Sequence, residues 1–211
     1  MTGARAGTVL LIGVAGALLA ALLIAALAPA ERTLGEGIRV VYVHVSLTWA
    51  GTAGLAAAGA LGLALAISGR GGLLVWMRLA GWAAWALYLA GFLVSMLAAH
   101  VNWGGVNALF WQEPRTVGAM QALAVALIVQ VVNVWLPWPR VCGLLSAGLA
   151  AFVVWLSRGG DEFLLHPGDA ISASTSPGIQ LTFLMMAALW LLAGALLVWY
   201  VRARLSARAA A

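Results

Sequence analysis

The chain has 211 residues, of which 64% are hydrophobic and 8% charged, and its formal net charge is +5. A soluble domain carries about 25% charged residues, so this composition excludes a water-facing globular surface and makes lipid the solvent. The basic excess does not indicate nucleic acid, because the arginines are scattered among hydrophobic spans and form no basic stripe.

A transmembrane helix needs about 20 apolar residues, and charges mark where each apolar run stops. The uncharged run between Arg5 and Glu31 predicts a helix over 8–28. Ala28-Pro29-Ala30 has the form of a signal-peptide cleavage site, but the run exceeds the ~7–15 residues of a signal core, so a retained helix is expected. The run between Arg39 and Arg70 predicts a second helix over 41–68. Gly51, Gly54, Gly59 and Gly62 lie within it, and small residues let helix backbones approach closely in lipid. A third helix is predicted over 75–99. There Arg78, Trp82 and Trp85 share one face at i, i+4 and i+7, the pattern of an interfacial anchor with a cation–π contact. The remaining runs predict helices over 117–137, 141–157 and 178–200. The expected fold is all-α: one integral membrane domain over 1–211, a polytopic bundle of six transmembrane helices, with no length left for a soluble domain.

Cys142 is the single cysteine. It excludes an intrachain disulfide, Cys₄ zinc or iron–sulfur sites and a CxxCH haem attachment within one chain, and reads as a small buried apolar residue. Orientation follows from the arginines. With both termini inside, Arg5, Arg70, Arg78, Arg140, Arg202, Arg204 and Arg208 fall on inner segments, and Arg32, Arg39, Arg115 and Arg158 on outer ones. That asymmetry fits the positive-inside rule. All six acids, Glu31, Glu36, Glu113, Asp161, Glu162 and Asp169, then lie outside.

The same topology places all three histidines at the outer interface. His44 opens helix two, His100 closes helix three, and His166 precedes Pro167 in the last outer loop. Neutral imidazole ligates haem iron well, and two from different helices supply both axial positions. The second outer loop, His100 to Thr116, carries Trp103, Phe110, Trp111, Glu113 and Arg115. Its aromatic faces suit stacking on a porphyrin and Arg115 suits a propionate. By chemistry alone, an aromatic belt at the lipid headgroups accounts for the loop equally well. Its apolar content predicts that it packs over the bundle and lines a cleft between the mouths of helices two and six.

Three segments carry a family resemblance. Arg39-Val40-Val41-Tyr42-Val43-His44-Val45-Ser46-Leu47-Thr48-Trp49, the loop from Trp103-Gly104 to Trp111-Gln112-Glu113-Pro114-Arg115-Thr116, and Leu165-His166-Pro167 followed by Ser174-Thr175-Ser176-Pro177 occur in that order. Together they resemble the cytochrome c assembly family, most closely its haem-handling CcmC-like members. The resemblance spans nearly the whole chain. It implies an inner-membrane protein that binds haem b transiently at its outer face, with His44 and His166 as axial ligands and Trp103, Trp111 and Arg115 as haem-loop contacts. It also implies delivery of haem to a CcmE-like chaperone, association with small membrane subunits of an exporter-like complex, and no enzymatic activity. The loop departs from the family's Trp-rich signature: a middle Trp is absent, and Gln112-Glu113 stands where Trp-Asp is expected. His100 has no counterpart in the pattern.

Three other classes compete with haem transfer. A cytochrome b-type electron-transfer subunit commonly buries its histidines at mid-helix depth, where none is expected here. A zinc hydrolase would use His44, His100 and His166, yet no HExxH motif occurs. A structural or permease subunit without haem needs no special residue.

Overall fold

A computed structural model of the chain describes residues 3–158, 171 and 174–209. It contains α1 (Gly3–Leu27), α2 (Ile38–Ser68), α3 (Gly72–Trp103), a short α4 (Ala108–Gln112), α5 (Pro114–Trp135), α6 (Pro139–Arg158) and α7 (Pro177–Ala209). All except α4 are long and apolar enough to cross a bilayer, six spans among the described residues. Among the described residues the only β-pairing is an isolated bridge between Glu31 and Gly35. The chain is therefore a polytopic, all-α membrane protein, and the six expected helices are present.

Their ends differ from the expected ones, for local reasons. Proline occupies the first helical position of α5, α6 and α7, where its missing N–H costs nothing, so each begins up to three residues before the apolar run. α2 begins at Ile38 rather than 41, because Arg39 is accommodated inside the first turn. Its guanidinium pairs with Glu36 at 2.6 Å and donates to the Ala28 carbonyl at 3.2 Å. α3 runs past 99 through His100 to Trp103 and stops where Gly104 adopts φ 76, the left-handed cap conformation that glycine takes without strain. α7 continues to 209, and i,i+4 pairs support its extra turns: Arg202 donates to Ser206, and the Arg204 guanidinium lies over the Tyr200 ring.

Six spans bring the chain back to the side on which it starts. One face thus carries both termini with the α2–α3 and α5–α6 connections; we call the opposite one the distal face. α2 runs antiparallel to α3 and α6, as their closest approaches show. A Cβ at Gly51 would lie 2.6 Å from the Tyr88 backbone N, and one at Gly54 would lie 2.7 Å from the Ala84 Cβ. On another side of α2, Gly62 and Gly143 are in mutual contact, and a Cβ at Gly59 would strike Ala150 on α6. The glycines of α2 thus serve two seams at once, which makes α2 the spine of the bundle.

α7 packs on α2 through a core of Ile38, Tyr42, Leu47, Ile179, Met186 and Trp190. The Trp190 indole donates to Ser46 Oγ at 2.9 Å. α1 packs against α7, with Gly7 against Tyr200 near the terminal face and Pro29 near Gly178 at the distal face. α5 lies along α3 and α6. There the guanidinium of Arg78 donates to the Asn133 carbonyl in the last turn of α5, which gives Arg78 a helix-capping task in addition to its expected interfacial position. Trp82 and Trp85 meet edge to face, and the Trp85 indole donates to the Leu123 carbonyl at 3.1 Å. Cys142 is fully buried, as expected.

Candidate functional site

The distal ends of α2 and α3 hold the histidines that fall among the described residues. His44 is the seventh residue of α2, about 9 Å along the axis from Ile38 at 1.5 Å per residue. It does not open the helix, as the sequence suggests; the earlier start of α2 puts it deeper. Its half-buried ring turns onto α3, and Nδ1 lies 2.9 Å from the Gly91 carbonyl oxygen. A carbonyl only accepts, so that nitrogen carries the proton, and in neutral imidazole Nε2 then carries the lone pair. Metal-ligating histidines commonly have this arrangement, with one ring nitrogen tied to a backbone carbonyl and the other directed at the ion.

The surroundings of His44 are tightly specified. Thr48 Oγ1 donates to the His44 carbonyl at 2.9 Å, and Thr52 Oγ1 to the Thr48 carbonyl at 2.9 Å. A Cβ at Gly91 would come within 2.6 Å of Thr48 Oγ1, 2.8 Å of Thr48 N and 3.2 Å of the His44 carbonyl oxygen. α3 therefore touches α2 backbone to backbone at the turn that carries His44.

His100 is exposed in the last turn of α3. It lies nine residues beyond Gly91, about 13 Å along the axis, so the structure does not bring His44 and His100 together. Trp103, half-buried, ends α3. One residue earlier, Asn102 donates to the Gly37 carbonyl at 3.3 Å and ties the end of α3 to the start of α2.

The segment from Gly104 to Thr116 is more ordered than a loop. Asn107 caps α4 by accepting from the Leu109 and Phe110 amides at 3.0 and 3.3 Å. Phe110 is buried and stacks edge to face with Trp111 at 5.2 Å. Trp111 itself is 43% exposed, and Arg115 is exposed at the start of α5. The segment does anchor to the bundle, but through Phe110, Glu113 and Thr116 rather than through both tryptophans. Among the described residues, Ile38, Tyr42, Ile171 and Ile179 pack together near the distal ends of α2 and α7; the expected cleft there also involves the last outer loop, most of which lies outside the described residues. His166 lies outside the described residues, as do Asp161, Glu162 and Asp169.

Two features escaped the sequence reading. Gly91 sits in an unbroken apolar run and has no polar neighbour to single it out. Glu113 is fully buried at the N-terminus of α5; its place beside Pro114, at a helix start that favours negative charge, was the available signal. No group of three His, Cys, Asp or Glu side chains converges among the described residues. In comparison with known proteins, no family model matches the chain and no curated protein matches it.

Proposed function

We propose that the chain is a haem-handling membrane component of cytochrome c maturation, similar to CcmC-like proteins. It sits in the inner membrane with both termini cytoplasmic and the distal face outward. His44 and His166 hold haem b transiently at that face, and the haem passes to a CcmE-like chaperone while small exporter-like subunits associate with the spans. Trp103, Trp111 and Arg115 are the haem-loop contacts in this reading. The chain acts as a carrier, since no bond of the haem needs to be made or broken.

The observation that carries the reading is the His44 imidazole. Half-buried near one membrane face, it has Nδ1 hydrogen-bonded to the Gly91 carbonyl, so that in the neutral ring the lone pair a metal would take is on Nε2. Haem iron accepts two such nitrogens axially. The order of the three sequence segments and the arginine asymmetry add support.

An optical spectrum of the purified protein, before and after haem addition and on reduction, is the test. A split haem absorption that shifts on reduction is expected, with loss or a changed axial ligand in His44→Ala and His166→Ala. His100→Ala should behave as wild type. A normal haem spectrum and normal cytochrome c maturation in the His44→Ala, His166→Ala double variant would overturn the proposal. Haem that survives mild detergent washing and does not transfer to a chaperone would point to an electron-transfer subunit instead.

A further inference from the structure

We infer that Gly91 is a positioning residue, one that fixes which nitrogen of His44 carries its proton. Its lack of a side chain lets α3 close onto the ligand turn of α2, and its carbonyl then holds the His44 ring as the Nδ1–H tautomer. The consequence at a bound metal rests on the haem reading above; the tautomer itself does not.

The argument starts from what a side chain at 91 would meet. The three nearest contacts of an added Cβ belong to the turn from His44 to Thr48: the Thr48 hydroxyl at 2.6 Å, the Thr48 amide nitrogen at 2.8 Å and the His44 carbonyl oxygen at 3.2 Å. Two of these are backbone atoms and cannot rotate away, so any larger residue separates the helices at this level. Elsewhere in the same seam the roles are reversed: Gly51 and Gly54 belong to α2 and face Tyr88 and Ala84 of α3. At Gly91 the glycine lies on α3, and its own carbonyl oxygen is the acceptor for His44 Nδ1 at 2.9 Å.

A 2.9 Å hydrogen bond does not survive a displacement of the order of a methyl group. Thr48 strengthens the constraint, because its hydroxyl is engaged with the His44 carbonyl and packs against Gly91. The hydrogen bond also raises the basicity of Nε2, and outer-shell partners of this kind typically contribute 10–100-fold in metal affinity.

The experiment uses the full chain in lipid nanodiscs, labelled with ¹⁵N-histidine and free of haem. The three histidine signals are assigned by difference against His44→Ala and His100→Ala. We expect neutral His44 to be protonated at Nδ1 in the wild type. Gly91→Ala should convert it to a mixture of tautomers. Gly54→Ala, which disturbs the same seam where a Cβ would meet Ala84 at 2.7 Å, should leave the tautomer unchanged and separates positioning from packing. After haem addition, affinity in Gly91→Ala should fall about 10–100-fold while Gly54→Ala stays near wild type.

A wild-type His44 protonated at Nε2 alone overturns the inference, and that measurement needs no variant to fold. So does a Gly91→Ala protein that keeps the Nδ1–H form. If the tautomer behaves as expected but the wild type takes up no haem, the haem reading fails and the positioning of His44 stands.

Discussion

Glu31 shows how much a single carboxylate organises at the distal face. It accepts from the Leu34 amide at 2.9 Å, the Thr33 amide at 2.7 Å and the Thr33 hydroxyl at 3.4 Å, and so closes the turn between α1 and α2. The Leu34 hydrogen bond is the largest influence on its carboxyl group. Desolvation opposes it, the Thr33 donors add to it, and the net result is a pKa below the ordinary carboxylate value. A depressed folded-state pKa means that the stabilisation is complete above the unfolded value and is lost as pH falls through the folded one. The protection of the Thr33 and Leu34 amides, measured against the intrinsic exchange rate at each pH, should therefore fall as the solution is acidified through and below the normal carboxylate range. In Glu31→Gln the protection should already be low at neutral pH and should lack that step. Equal exchange in both proteins at every pH would show that the carboxylate does not organise the turn.

Depth is also a residue-scale matter, and there the sequence was partly misleading. His44 was legible as a polar residue in an apolar stretch that needs a partner. Its partner was not legible, because a backbone carbonyl on another helix leaves no mark in composition. Its depth was underestimated because Arg39 reads as a boundary until Glu36 and Ala28 are seen to hold its guanidinium within the first helical turn.

At the scale of elements, α2 is the central member, since α3, α6 and α7 all pack against it. Its glycines were legible as packing residues, but their division between two seams was not, because that division depends on which neighbours they meet. Gly62 meets backbone on α6: a Cβ there would lie 2.6 Å from the Gly143 carbonyl oxygen and 3.0 Å from the Ser146 Cβ. Gly62→Val should destabilise the bundle by about 1–3 kcal/mol through overpacking, read as a lower unfolding midpoint in mixed micelles. Gly148, which has open space around its Cα, is the matched control: Gly148→Val should have little effect. A similar loss in both would mean that the α2–α6 seam is not the reason. The six spans themselves were readable because lipid imposes an almost continuous apolar run on each, whereas the turn chemistry at proline and Gly104, and the unanticipated α4, belongs to local capping.

For the molecule as a whole, six spans put the described ends of α1 and α7 on one face, and the proposal that this face is cytoplasmic rests on the arginine asymmetry. Cysteine substitutions at Arg208 and Val106 test this in sealed vesicles. Native Cys142 is fully buried and should contribute little background. An impermeant maleimide should reach position 106 from outside and position 208 only after the membrane is opened; labelling of both from one side would defeat the topology. Of the proposed haem ligands, His44 is described and His166 lies outside the described residues, so the binding experiment decides the pair.

The pairing of α1 with α7 bears on how the protein is made. α1 leaves the ribosome long before α7 exists, yet the Ala21 and Ala25 face of α1 shares its core with Ile179, Met186 and Trp190 of α7. During synthesis α1 must therefore wait in the bilayer without its main partner, shielded only by lipid or an insertion factor, until the rest of the chain is threaded. Closure of the bundle is a late event in biogenesis, and a nascent chain arrested before α7 should present α1 to membrane quality-control proteases.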